Sequence, residues 1–374
     1  MPLVIRAQTP GAPARAAAVA ERFCAAPRAP APDSIARPLP PLVPTPDPVR
    51  GLYVNRWAAI GTRLNDIIAI AARTEINALV IDVKDDRGLV LYRSQVPLAR
   101  AIGADANRPL RAERLRAALD TMRALGIYPI ARIVVVKDPI LASARPAWAI
   151  RTRADTARAW HDKMGKPWLD PHQDGPWRYA ADLACEAVQL GFSEVQFDYV
   201  RFPDESRLQH EASFPLAAGR TRDQVIHAQL AALRERLRPL GVPITADVFG
   251  LTTTDTTGMR IGQRWETVVN TVDVILPMMY PSHYRPGMYG LKNPNAHPSA
   301  VIANGLRDAH RRSAAVADAA TLRPWYQDFT LGPPRYGAAQ VRAQIEAGYK
   351  AGVMGWLLWN PRSYYTTSAL KPKH

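Results

Sequence analysis

The strongest constraint on this chain is the regular punctuation that begins near Val49. Short apolar, β-branched runs alternate with stretches of helical patterning, which is the signature of parallel strands joined by crossover helices. Eight runs recur: Gly51–Asn55, Ala78–Val83, Tyr128–Val135, Glu194–Val200, Pro243–Phe249, Val272–Tyr280, Leu322–Phe329 and Val353–Trp359. Between the first two, Leu64, Ile67, Ile68 and Ala71 fall on one face at helical spacing, predicting a helix over Leu64–Arg73. Asp174 with Pro176 in the first turn, and Thr221 followed three residues later by Gln224, mark two more helix starts. Gly126, Gly191, Gly241 and Gly352 stand just before strands, where helices stop. Eight such steps predict an α/β fold, a single (β/α)8 barrel of the TIM type with long loops after the strands. The eighth helix is the weak point. After Asn360 the chain reads PRSYYTTSALKPKH, so that helix is short, missing, or supplied by the N-terminal segment.

Residues 1–48 read differently. Between Ala26 and Pro48 dense proline removes backbone donors and prevents both helix and central strand, so this stretch is expected to be a semi-extended linker. The division expected is an Ala/Pro-rich extension over 1–48 and the barrel over 49–374. Val19 and Phe23 lie four apart, so an alternative is that the Ala16–Ala26 stretch docks as a helix in place of the eighth. Charged residues interrupt the apolar N-terminus and no signal for secretion is visible. No apolar run approaches the roughly 18 residues that span a bilayer.

Composition excludes several functions. Cys24 and Cys185 form neither a CxxC nor a disulfide framework, and the eight histidines show no HxH or HExxH spacing, so no metal and no cofactor are expected. The net charge of +15 suggests nucleic acid or an anionic glycan as partner. The basic residues are scattered, however, and a nucleic-acid footprint normally clusters on one element, so no specific nucleic acid is expected.

The chemistry is expected at the strand ends. A carboxylate inside an apolar strand of a closed parallel barrel is costly unless it faces the axial mouth. EVQFDYVRFPDE places Asp198 near the C-terminal end of the fourth run, and PITADVFG places Asp247 correspondingly in the fifth. LVIDVKDD adds Asp82 and Lys84 at a third position. Adjacent strands lie about 4.8 Å apart, close enough for Asp198 and Asp247 to act as paired carboxylates in glycoside hydrolysis. The competing expectation is that one acid is neutralised by Arg132 or Arg201; for Asp82, pairing with Lys84 or Arg132 is the favoured reading. Aromatic residues crowd the same ends, including Tyr53, Tyr199, Tyr280, Trp325 and Trp359. Their planes can stack on sugar C–H faces while Asn55, Gln327 and Asn360 bond hydroxyls. His283, after the sixth run, is the histidine placed to touch substrate.

These same stretches carry a resemblance. RGLYVN, ALVIDVKDDRG, ARIVVVKDP, WLDP, EVQFDYVRFP, ADVFG, ILPMMYPSHY and GWLLWNP, spread over Val49–Arg362, resemble a family of glycosyl hydrolase domains filed among domains of unknown function. The resemblance implies a TIM barrel distantly similar to the α-amylase and α-galactosidase-like hydrolases, in which an acid at the end of the fourth strand is the nucleophile. Asp198 falls at that place and Asp247 is the expected acid/base. Arg132 and Arg201 are expected to orient the carboxylates. The expected activity is cleavage of a polysaccharide or oligosaccharide, and a glycan substrate favours a location outside the cytoplasm. Two rivals remain open: a non-catalytic glycan-binding barrel, and a nucleic-acid binder.

Overall fold

A computed structural model describes residues 40–373. Its centre is a closed parallel barrel, whose strands are numbered here β1 Arg50–Val54, β2 Ala78–Lys84, β3 Tyr128–Val134, β4 Glu194–Asp198, β5 Ile244–Phe249, β6 Val274–Met278, β7 Trp325–Gln327 and β8 Trp356–Trp359. Each pairs in parallel with the next, β8 returns to β1 through Gly51↔Leu357, and β6 meets β7 at Met278↔Trp325. All eight expected runs are strands. The seventh is split: Thr321–Leu322 pairs with β6, and the ladder resumes at Trp325. Pro324 lies in the gap, and a proline has no N–H to give to the ladder.

The strands are buried on both faces, so each shows near-continuous apolar sequence rather than alternation. Outward residues such as Leu79, Ile81, Ile133 and Phe197 join the large core under the helices. Inward residues Ala78, Val80, Tyr128, Ile130, Leu276 and Leu357 fill the barrel itself. The axis is narrow where Gly51 lies, since a Cβ there would come within 2.5 Å of the Leu357 side chain.

Seven helices form the outer layer of the described residues: α1 Arg63–Arg73, α2 Ala112–Ala124, α3 Asp174–Leu190, α4 Arg222–Leu237, α5 Trp265–Val268, α6 Pro298–Ser313 and α7 Ala338–Lys350. The face expected for α1 is the buried one, through Leu64, Ile67, Ile68 and Ala71. At α4, Thr221 accepts from the Gln224 N–H while the Gln224 side chain accepts from the Thr221 N–H, completing the expected capping box. Gly191 ends α3 at φ 111°, a left-handed conformation that a side chain would strain. No helix among the described residues is long and apolar enough to cross a membrane.

Among the described residues, the C-terminal tail occupies the place expected for an eighth helix. Residues 361–373 descend between α7 and α1, with Ala369 and Leu370 buried. Arg342 of α7 holds both Glu75 and the Ala369 carbonyl, and Thr74 bridges Pro372. Ala16–Ala26, the alternative source of that helix, lies outside the described residues.

The chain packs against the barrel from about residue 41, ahead of the expected start near Val49. Leu42 and Val43 are buried, the Val43 N–H donates to Ser193 Oγ at 2.9 Å, and Thr45 Oγ1 meets Tyr128 Oη at 3.1 Å. This segment crosses the N-terminal floor. Above it, Glu194 at the base of β4 pairs with Arg323 at 2.7 Å and accepts from the Thr245 hydroxyl. Glu194 and Asp198 thus share one inward face of β4, four residues or about 13 Å apart. Position along the strand separates their roles, because the floor of such a barrel carries stability and the C-terminal mouth carries chemistry.

Candidate active site

The mouth is organised by one guanidinium. Arg132 points inward from β3, two residues after Ile130 on the same face. Its Nη1 donates to Asp82 Oδ1 at 2.5 Å and its Nη2 donates to Asp198 Oδ2, while Nε lies 3.7 Å from Asp247 Oδ2. Strands β2, β4 and β5 therefore each send one carboxylate to the cation on β3. The fork geometry of arginine permits this division, since its N–H donors lie in one plane and point in fixed and different directions. Two stacked rings lie beside the cation: Tyr53 and Trp359 stack at 3.8 Å and 15°, with the guanidinium carbon 5.4 and 5.1 Å from their centroids.

Each acid has a different second partner. Asp82 Oδ2 accepts from the Tyr53 hydroxyl at 2.5 Å. Asp198 Oδ1 accepts from the Tyr199 N–H at 2.5 Å, and Tyr199 turns the chain there at φ 54°. Asp247 Oδ1 accepts from Gln196 Nε2 at 2.7 Å and Trp325 Nε1 at 2.6 Å. Asp198 and Asp247 follow the β4–β5 register pair Phe197↔Ala246 and so stand side by side.

Burial decides the electrostatics, since Asp82, Asp198 and Asp247 are 2%, 5% and 1% exposed. For Asp247, burial first and the Asp198 charge second push its carboxyl well above the usual range, against Arg132 and the Gln196 and Trp325 donors. Burial also pushes Asp82 up to about 6, opposed by Arg132 and Tyr53. Burial works against the Arg132 charge as well, but Asp82 and Asp198, followed by Tyr53 and Asp247, outweigh it and hold the guanidinium well above its usual range. Tyr280 Oη is buried without a hydrogen-bond partner among the described residues, and burial, Asp247 and Asp198 all favour its neutral phenol.

Among the residues expected at the mouth, Tyr53, Asp82, Arg132, Asp198, Asp247, Tyr280, Trp325 and Trp359 come together. His283 joins them at the rim, its ring 5.4 Å from Tyr280 and 6.2 Å from Phe329. Lys84 does not. A β-bulge between Asp82 and Lys84 breaks the two-residue alternation, and the ammonium turns outward to Asp138 at 2.8 Å, beneath Tyr179. Asp82 consequently has Arg132 and Tyr53 as partners, and Lys84 has Asp138. Arg201, expected to orient the carboxylates, lies among Phe249, Tyr199 and Trp168 and donates to Phe202 O and Asp204. Tyr199 itself sits between Arg201 and Lys137, the latter paired with Asp86 at 2.8 Å.

The expected hydroxyl partners are engaged by the loops. Asn55 caps the short helix Arg56–Ile60 and donates to Pro361 O. Gln327 is fully buried between the Ser282 N–H and Phe329 O, and Asn360 holds Asp328 O and the Arg362 N–H. Strand ends leave backbone groups that need partners, and these amides supply them. Gln196 was missed as a site residue. Its position two before Asp198, on the same inward face, is the signal that identifies it.

A family model described as a "putative glycosyl hydrolase domain" matches residues 51–365. The chain belongs to this family. Within the glycosyl hydrolase domain so defined lie every strand from β2 to β8 and all three mouth acids. Among solved structures, a hypothetical protein from Ruminiclostridium thermocellum is 38% identical, covering 53% of this chain and 97% of that one at a TM-score of 0.47. The PgaB (BpsB) glycoside hydrolase domain from Bordetella bronchiseptica is 13% identical and covers 84% of this chain and 95% of its own, at a TM-score of 0.62. The α-L-fucosidase isoenzyme 2 of Paenibacillus thiaminolyticus is 13% identical over 86% of this chain and 48% of that one, at 0.55. At such identities the last two are likenesses of fold. No curated protein matches the sequence.

Proposed function

We propose that this glycosyl hydrolase domain cleaves glycosidic bonds of a polysaccharide or oligosaccharide with two carboxylates, retaining the anomeric configuration. The observation that carries the reading is the unequal setting of neighbouring acids at the C-terminal mouth. Asp247 is driven towards its protonated form, while Asp198 is ion-paired with Arg132. A carboxyl held towards its protonated form beside an ion-paired carboxylate is what this chemistry requires.

Asp198 attacks the anomeric carbon as the proton of Asp247 passes to the departing glycosidic oxygen. The C–O bond to the leaving group breaks as the bond to Asp198 forms. Asp247, now a carboxylate, takes a proton from water, whose oxygen displaces Asp198 and releases the sugar. Trp359 and Tyr199, both only partly buried, are the rings placed to meet sugar faces at the entrance. A glycan of this kind fits a location outside the cytoplasm, checked by cell fractionation of the native host.

A second reading has its own support. All three acids are nearly inaccessible and share one cation beside the Tyr53–Trp359 stack, as structural ion pairs in a glycan-binding barrel would. A glycan array followed by hydrolysis of the bound sugars separates the two. Reducing ends released by the wild type and not by Asp198→Asn support catalysis, and binding without release supports the glycan-binding barrel.

A further inference from the structure

Asp82 makes contact with neither Asp198 nor Asp247 in the described hydrogen-bond network, yet it holds the group that touches both. Its Oδ1 fixes Arg132 Nη1, and its Oδ2 is fixed in turn by Tyr53 Oη. Tyr53 cannot swing away, because its ring stacks on Trp359 and meets Trp325 edge-on at 6.4 Å. With Nη1 anchored, the planar guanidinium presents Nη2 to Asp198 and leaves Nε 3.7 Å from Asp247, an ion-pair contact without a hydrogen bond.

We propose that Asp82 is a positioning residue: the Tyr53–Asp82 arm holds and partly neutralises Arg132, and thereby sets how tightly Asp247 binds its proton. The role rests on the two-carboxylate reading, in which Asp247 must keep a proton until the leaving group needs it. The charge count explains the effect. One guanidinium faces three carboxylates, so each carboxylate that ionises leaves less of the positive charge for the others. Ionised Asp82 draws on the Arg132 charge, and Asp247, 3.7 Å from Nε, retains its proton more readily. The groups acting on Asp247 are Asp198 from β4, Arg132 from β3, Gln196 and Trp325 as donors, and the Tyr280 phenol. Those acting on Asp82 are Tyr53, Arg132 and Asp85, with Arg56 and the Tyr365 phenol sensing its charge.

The test needs no substrate, so its failure is distinct from failure of the hydrolase reading. Trp325 Nε1–H donates directly to Asp247, and its indole ¹H–¹⁵N resonance, assigned by its loss in Trp325→Phe, reports that carboxyl. The full chain is titrated from about pH 4 to about pH 9, a range that brackets carboxyl groups raised by burial. Asp82→Asn should lower the Trp325 midpoint by about one pH unit, since a negative charge on the Arg132 cluster is removed. Tyr53→Phe should lower it less, because Asp82 then ionises less completely. An unchanged midpoint in a folded Asp82→Asn protein, a rise, or a wild-type indole that does not titrate would overturn the proposal. If Asp82→Asn does not fold, Tyr53→Phe decides by the same criterion. Loss of packing alone lowers the melting temperature without moving the midpoint.

Discussion

Asp82→Asn should make the protein more stable at neutral pH, although it removes one half of a buried ion pair. Burial pushes the Asp82 carboxyl from 3.8 to about 6 in the fold, in spite of Arg132 and Tyr53. The unfolded chain titrates this group near its ordinary value of about 3.9. Between those values the native state holds more protons than the unfolded state, so the free energy of unfolding falls as pH rises. A gap of about two pH units at about 1.4 kcal/mol each amounts to about 3 kcal/mol. This stability is fully present below about pH 4 and lost by about pH 7. Asparagine never pays that loss, and its carbonyl still accepts from Arg132 Nη1. At 2% exposure little solvent screening reduces the effect. Urea unfolding followed by tryptophan fluorescence, run on both proteins from about pH 4 to about pH 8, measures the difference. The two should coincide at the acid end and separate by about 3 kcal/mol at neutral pH, with the variant more stable. A difference independent of pH would show that the attraction to Arg132 balances desolvation, and a variant less stable at neutral pH that it outweighs it; either would refute the reasoning.

The other predictions concern the two proposed catalytic carboxylates and the floor. Asp198→Asn should abolish turnover while leaving ligand binding and the melting temperature nearly unchanged, because the amide is isosteric but cannot attack; activity near wild type would remove Asp198 from the role. Asp247→Ala should slow natural glycans by about 10²-fold or more and aryl glycosides far less, since a good leaving group needs no proton; equal losses on both would point away from a general acid. Leu42→Ala should cost about 2 kcal/mol in urea unfolding, and a chain lacking residues 1–48 should melt below one lacking 1–39, as Leu42 and Val43 seal the barrel floor. Equal melting of the two truncations would show that residues 40–48 contribute nothing.

Much of the fold was legible because a parallel barrel writes itself locally. A strand buried on both faces must be continuously apolar, and a crossover must fit helical spacing, so the eight runs and the α1 and α4 signals could be read one segment at a time. The acids were legible for the same reason: Asp82, Asp198 and Asp247 interrupt apolar strands where a charge is tolerated only at the mouth. What the sequence determined by itself, then, was which strands exist and where along them a charge can sit. Tertiary structure alone decided how those charges divide. The bulge after Asp82 sends Lys84 to Asp138 on the outer side, an inversion that two-residue alternation cannot foresee. Arg132, one of several arginines near strand ends, becomes the shared cation because closure of the barrel brings β2, β3, β4 and β5 around one axis, while Arg201 leaves the axis for Phe249 and Asp204. The C-terminal tail lies where the eighth helix was expected, held by Arg342 and Glu75, which are 267 residues apart and bond the Ala369 carbonyl and the Lys371 N–H. Such pairings depend on distances between segments remote in the chain, and a local pattern holds no record of them.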